Sequence, residues 1–234
     1  MAKLAGEPNV PTHVGFIVDG NRRWAKVHGL PTFEGHRKGY ENLKTILLHA
    51  LDRGVKYASM FVFSTENWSR NEREVQYLMK LLGWVLRDEL YELQARQVRI
   101  VWAGSHQQMK PSLLKLIEHA ETVTKDNTAG TLVLCLNHGG HREIAEAVQR
   151  LVADGIAASE VNEAMIARYL DHAEIPPIDL IIRTSGEQRL SNFMLWRAAY
   201  SELIFREEYW PDFSKRAFDE CLLEYKKRQR RFGG

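Results

Sequence analysis

The sequence predicts an α/β fold, a single domain with a mainly parallel central sheet flanked by helices. Two observations carry this. Short runs rich in β-branched and aromatic residues recur along the chain, and most are followed by a longer stretch with helical periodicity. The runs are nearly continuous in apolar residues instead of alternating, the pattern of strands covered on both faces.

The strands are expected at residues 13–18, 56–63, 98–103, 131–136 and 179–182. Helical patterns fill the intervals at 36–53, 72–96, 111–124 and 141–152, and a last one, 215–230, closes the chain. A shorter helix-like stretch follows Asp19, and Asn71 is placed to cap the helix that starts at Glu72. Residues 1–12 are expected to form a flexible N-terminal segment ahead of a domain spanning 13–234. There is no internal repeat and no low-complexity tract.

Composition excludes several classes. A chain of 234 residues buries roughly 70% of its unfolded surface and needs no disulfide or metal to hold a core. No apolar run approaches the ~18 residues of a transmembrane helix, and the N-terminus lacks the apolar segment of a secretion signal. Two cysteines with no C-x-x-C spacing make neither a disulfide scaffold nor a structural zinc site. A soluble, cytoplasmic protein is expected. Its net charge is only +2 despite 32 Lys and Arg, which argues against nucleic acid as a partner. The placement of the arginines matters more than their number.

In open parallel sheets, ligands bind outside the carboxyl ends of the strands. The first strand ends in Val18-Asp19-Gly20-Asn21-Arg22-Arg23-Trp24. Forked arginine donors beside a tight turn suit phosphate oxygens, and Asp19 could hold Mg²⁺ against the same phosphate. An Asx-type turn with two solvated arginines is the competing reading, at about equal weight. There is no Walker A loop and no G-x-G-x-x-G fingerprint.

The second strand runs into Phe63-Ser64-Thr65-Glu66-Asn67-Trp68-Ser69-Arg70, gathering polar and cationic groups between apolar walls. The fifth runs into Arg183, followed by Arg189 and Ser191. An arginine at the end of an apolar strand needs an anionic partner, since an unpaired buried charge is costly. Glu202, in a stretch read as helical over 193–205, is a candidate either for that partner or for a second Mg²⁺ ligand. His36, at a helix start near both arginine groups, is a candidate ligand for phosphate. His138 and His141 flank Gly139-Gly140, have no third metal ligand nearby in sequence, and read as turn and cap residues. Two arginine groups imply two anionic substrates or one long one. The stripe Val75, Leu78, Met79, Leu82, Val85, Leu86, Leu90 is either a core face or the wall of a channel for a hydrophobic tail.

Several of these segments resemble the cis-prenyltransferases of the undecaprenyl diphosphate synthase type. They are Asp19-Gly20-Asn21…Arg23-Trp24-Ala25, Gly35-His36-Arg37, Phe63-Ser64-Thr65-Glu66-Asn67-Trp68, Asn137…Gly139-Gly140, and Arg183-Thr184-Ser185-Gly186-Glu187…Arg189…Ser191-Asn192-Phe193. Leu195-Trp196, Tyr200-Ser201-Glu202-Leu203, Trp210-Pro211-Asp212-Phe213 and Arg230-Arg231-Phe232-Gly233-Gly234 continue the match. The resemblance implies a homodimer that condenses isopentenyl diphosphate with an allylic diphosphate, such as farnesyl or geranyl diphosphate, in cis geometry. It implies that Asp19 and Glu202 bind Mg²⁺, and that Gly20, Asn21, Arg23 and His36 hold the allylic diphosphate, with Arg22 and Trp24 in the same segment. Ser64, Thr65, Glu66, Asn67, Trp68 and Arg70 would lie near the reacting ends, with Asn67 the candidate for proton abstraction. Arg183, Arg189 and Ser191 would hold isopentenyl diphosphate, and Arg231 and Gly233 would reach the neighbouring subunit. A lipid product would bring peripheral contact with a membrane.

The sequence departs from the family pattern at Arg22, where glycine is usual, and at Thr32, where arginine is frequent. Arg22 is expected to compensate for Thr32. Gln188 replaces a frequent histidine and His141 a frequent arginine. Val62, bulkier than the common alanine, points to a short or medium product. Two alternatives are a non-catalytic subunit of a heteromeric prenyltransferase, disfavoured by the intact Asp-Gly-Asn motif, and a nucleotide- or RNA-binding module that uses the arginines for phosphate. A trans-type synthase is disfavoured by the missing Asp-Asp-x-x-Asp pair.

Overall fold

Parallel strands need crossovers, and in this chain helices supply nearly all of them. A computed structural model describes residues 10–228. The chain runs β1 (His13–Ile17), α1 (Asn21–Val27), α2 (Thr32–Asp52), β2 (Tyr57–Ser64) and α3 (Glu72–Trp84). It continues through α4 (Leu90–Ala95), β3 (Val98–Ala103), α5 (Pro111–Thr124), β4 (Gly130–His138) and α6 (Gly140–Ala153). The remaining elements are α7 (Glu163–Arg168), β5 (Leu180–Arg183), β6 (Glu202–Phe205) and α8 (Lys215–Lys227). The six strands form one parallel sheet in the order β3-β4-β2-β1-β5-β6. After β1 the chain moves outward on one side to β2, and it returns on the other side at β5. The carboxyl ends of β1, β2 and β5 therefore border the switch point where such sheets bind ligands.

The five expected strands are present within two residues at either end. Two expectations are corrected. The stretch 193–205 is not helical: it turns through residues with positive φ (Asn192 at 65°, Met194 at 37°) and then forms β6, paired in register with β5 from Leu180↔Glu202 to Arg183↔Phe205. Edge pairing to a distant strand, not local periodicity, decides its state. The span 72–96 is not one regular helix. A π-helical turn at Val85–Glu89 separates α3 from α4. The Asn71 side chain accepts the Arg73 N–H and caps α3 as expected.

Successive strand residues point to opposite sheet faces. Phe16, Met60, Ile100 and Leu134 join the core under α2, α3, α5 and α8, while Ile17, Phe61, Val101 and Cys135 pack with Phe193 and Met194 on the other face. Each such fully buried side chain contributes roughly 1.5–3 kcal/mol. Both cysteines are buried and free. No helix among the described residues is long and apolar enough to cross a membrane. The 193–201 connection is anchored by Arg197, which pairs with the fully buried Glu143 at 2.7 Å and donates to the carbonyls of Asp171 and His172.

Two buried histidines make the fold sensitive to acid. His13 Nδ1 donates to the Pro176 carbonyl (2.8 Å) and Nε2 accepts from Ser59 (2.7 Å). His138, expected as a turn residue, instead ends β4 fully buried, where its Nε2 accepts the Met194 N–H at 3.1 Å. Burial lowers His13 to about 4 and His138 to about 3. Both folded values lie below the unfolded value of about 6.5, so the unfolded chain binds the protons first, and stability is lost as pH falls. Denaturant unfolding should show stability falling below pH 6 by up to about 1.4 kcal/mol per pH unit for each histidine. The slope should be shallower in His138→Asn. An unchanged slope in that variant would contradict the assignment.

Candidate active site

The turn after β1 begins the site. Gly20 adopts φ 106°, and a Cβ there would lie 2.8 Å from the Tyr209 ring, so the turn requires glycine. Gly35 on α2 lets α1 approach: a Cβ would lie 2.1 Å from the Asn21 carbonyl oxygen. These contacts aim Asp19 into the switch point. Its Oδ1 accepts the Gly20 N–H at 2.7 Å, and Thr184 Oγ1 holds its carbonyl at 2.7 Å.

Arg183 ends β5 nearly buried, and its anionic partner is Asp19, with Nη2 3.0 Å from Oδ2. This corrects the alternative that Glu202 fills that role. Nη1 of Arg183 donates to Ser191 Oγ (2.8 Å) and to the Arg189 carbonyl. Arg23 approaches the same Asp19 oxygen at 3.3 Å and pairs with Glu187 at 2.9 Å. Glu187 also accepts from Arg189 at 2.5 Å. Arg189 first, then Arg23, hold its carboxyl below the usual range. The arginine groups after β1 and β5, separate in sequence, are thus one ion network joined through Asp19 and Glu187.

A second cluster surrounds Glu74, on the first turn of α3. Its Oε1 lies 3.1 Å from His36 Nε2, 3.3 Å from Arg70 Nη1 and 3.7 Å from Arg22 Nε. Burial lowers the His36 pKa, with Glu74 opposing, so the neutral ring donates from Nε2. Neither Glu74 nor Glu187 was legible in the sequence as a bridge. Arg70 and Arg189 are near in sequence, but the second partners, Arg22 and His36 for Glu74 and Arg23 for Glu187, come from distant segments and leave no local signal.

Between these clusters opens a cavity of about 880 Å³. Asp19, Gly20, Asn21, Arg22, Arg23, His36, Ser64, Asn67, Arg70, Arg183, Arg189 and Ser191 all border it. Its interior is mostly apolar, with Tyr40 and Lys44 of α2 as polar exceptions. Leu78, Leu82, Val85, Leu86 and Leu90 line it opposite Leu43 and Leu47 of α2, over Ile100, Leu132 and Leu134 of the sheet. The two readings of the α3 stripe converge, since these core-facing residues wall a chamber. Val62 also borders it.

Other candidates lie outside the cavity lining. Trp24 donates to Asp212 (2.8 Å) and stacks on His28. Trp68 donates to Asn137 (2.7 Å) and packs edge-on against Phe63. Glu66 accepts from Asn192 (2.9 Å), and Thr65 packs beside Gly139. These four shape the loops that carry the lining residues. Glu202 starts β6 opposite Leu180, whose β1 partner is Val14, so it sits about 16 Å down the strand direction from Asp19. There it pairs with Arg228 at 3.0 Å. Arg231 and Gly233 lie outside the described residues.

The prenyltransferase family model, described as undecaprenyl diphosphate synthase, matches residues 17–233. The chain belongs to this family. It is 47% identical to a trans,polycis-polyprenyl diphosphate synthase, (2Z,6E)-farnesyl diphosphate specific, of Thermobifida fusca, over 96% of this chain and 81% of that protein. It is 44% identical to a ditrans,polycis-undecaprenyl-diphosphate synthase of Micrococcus luteus, over 96% and 92%. In structure it resembles lavandulyl diphosphate synthase from Lavandula x intermedia, solved in complex with dimethylallyl diphosphate. The TM-score is 0.93 at 33% identity, covering 97% of this chain and all of that one. The protein is therefore an enzyme of the prenyltransferase class, with cis-prenyl diphosphate synthase activity supported by its relatives.

Arg22 is more than half exposed at the cavity mouth, and Thr32 borders the same mouth. Arg22→Gly should weaken binding of inorganic diphosphate about fivefold in calorimetric titration, the loss of one partly solvated charge-assisted contact. An unchanged dissociation constant would remove Arg22 from the site.

Proposed function

We propose that this enzyme condenses isopentenyl diphosphate with an allylic diphosphate, in cis geometry and with Mg²⁺, to give a short- or medium-chain polyprenyl diphosphate. The observation that carries the reading is the ion network around Asp19 and Arg183 at the mouth of a long apolar chamber. Such a site binds diphosphates at one end and an isoprenoid tail behind them. The Thermobifida fusca relative supports a farnesyl-type starter. Val62 in the chamber wall supports a limited length.

In this reaction the allylic C1–O bond breaks and its electron pair leaves with diphosphate. The terminal methylene carbon of isopentenyl diphosphate bonds to C1, and loss of a C2 proton forms the new double bond. Charge grows on the departing oxygens, so donors held in place beforehand favour the transition state over the ground state. Arg23 with Asn21, and Arg22, Arg70 and His36 around Glu74, border the part of the mouth where the allylic diphosphate would lie. Arg183, Arg189 and Ser191 stand ready for isopentenyl diphosphate. Asn67 Oδ1 accepts the Ser64 N–H at 3.2 Å, which sets the amide beside the reacting ends. An amide orients the leaving proton, and the released diphosphate is the stronger base. The apolar chamber keeps water from the cation.

Asp19 is a single carboxylate beside two proposed phosphate subsites, and no cluster of three or more His, Cys, Asp or Glu suited to a metal occurs among the described residues. That donor set fits Mg²⁺, which binds through one or two carboxylates plus substrate phosphates. Held there, it would neutralise charge on the departing diphosphate. Glu202 is too far down the sheet to join Asp19 in one chain. β6 is an edge strand, and in a two-fold homodimer built on that edge, Glu202 of the second copy would face the Arg183 end. The enzyme would act in the cytoplasm, with peripheral membrane contact through its product.

Incubation with labelled isopentenyl diphosphate, Mg²⁺ and geranyl or farnesyl diphosphate should give longer labelled prenyl diphosphates, and chelation should stop their formation. Arg183→Met should lower kcat/KM by about 10²–10³, the typical loss of one preorganised donor, with the circular dichroism spectrum retained. Label that stays in isopentenyl diphosphate with every starter would overturn the reading.

A further inference from the structure

The lower chamber is apolar except at Tyr40 and Lys44 of α2. Lys44 borders it on α2, eight residues beyond His36 and so about 12 Å down the helix axis from the diphosphate end. Its neighbours in the wall are Leu43, Leu47, Leu86 and Leu90. The Lys44 stem covers the chamber while its ammonium turns outward across the gap between α2 and α4. There it donates to Glu89 at 2.7 Å and to Glu92 at 2.7 Å. Glu89 is the last residue of the π-helical turn, a distortion frequent at functional positions in helices. Higher on the same seam, α2 and α3 are closed by ring contacts, Phe33 on Tyr77 and Tyr40 on Trp84. The seam is therefore zipped by aromatic pairs near the mouth and by one ionic bridge at the deep end.

We propose that the Lys44–Glu89–Glu92 bridge is the stop that sets prenyl chain length, closing the side of the chamber against a tail that has filled it. This rests on the condensation reading above. Leu93, Ile100 and Leu132 border the deep chamber, and a tail that has filled it would have to leave sideways, past Lys44. That path requires the ammonium to leave two carboxylates. With the bridge intact, further units gain no buried surface. With the bridge gone, the tail passes between α2 and α4 and keeps gaining it.

The test uses the full chain and two measurements. In the first, saturated alkyl diphosphates of increasing length are titrated by calorimetry. Affinity should rise by about fourfold per added methylene while the chamber fills, and then level off. In Lys44→Met and in Glu89→Gln/Glu92→Gln the levelling should move to longer chains, and Lys44→Arg should match the wild type. In the second, products are sized at equal consumption of isopentenyl diphosphate, and the same variants should extend the ladder by at least one five-carbon unit. Wild type at 1 M salt should shift the same way, because the bridge is partly exposed to screening. Levelling at the same length in all proteins, or an unchanged product ladder, overturns the stop. A shifted levelling with no condensation by the wild type would uphold the stop and overturn the condensation reading instead.

Discussion

The site depends on one carboxylate held between two arginines. Asp19 leaves β1 at the switch point of the sheet, and Arg183 leaves β5 beside it, 3.0 Å away. Arg183 is almost completely buried, which is tolerable only because an anion faces it. In the chain alone that anion is Asp19. A bound diphosphate offers the same charge, and a divalent cation offers Asp19 a replacement for the arginine. Under the proposed function, the ion pair would be a resting arrangement that substrate and metal exchange. Glu187 extends it by holding Arg23 and Arg189 together.

The fold places this polar end against an apolar one. Parallel strands direct their carboxyl ends, and the loops that follow them, to one edge of the sheet. Helices α2 and α3 start at that edge and run away from it over one sheet face. They do not close completely on the sheet, and the space left is the chamber. Its leucines meet the usual requirement of a core face on two helices while leaving room for a tail. This explains why one stripe of residues satisfies both a structural and a functional reading.

Most of the sheet was legible in the sequence because both-face burial leaves dense apolar runs that local reading detects. β6 was not, because four residues of edge strand follow a turn-rich segment whose leucines and aromatics mimic helical spacing. The π-helical turn was invisible for a related reason: the apolar stripe continues through it. At the site, Asp19, Arg23 and Arg183 stood out because charged groups at strand ends are hard to explain as packing. Glu74 and Glu187 did not: their near partners Arg70 and Arg189 make ordinary local pairs, and the partners that turn them into bridges, His36 and Arg22 for one and Arg23 for the other, lie in other segments. Glu202 could be named but not located, because its distance from Asp19 depends on strand direction and register. Trp24, Thr65, Glu66 and Trp68, expected near the substrates, do not border the cavity and pack against the loops that do.

The exchange of Asp19 between arginine and metal has a consequence of opposite sign under two conditions. In wild type and Asp19→Asn, binding of inorganic diphosphate can be measured by calorimetry with chelator and then with Mg²⁺. The account predicts that Asp19→Asn binds diphosphate more tightly than wild type in chelator, because Arg183 and Arg23 are released, and more weakly with Mg²⁺, because the metal's ligand is gone. Weaker binding by Asp19→Asn under both conditions would contradict it.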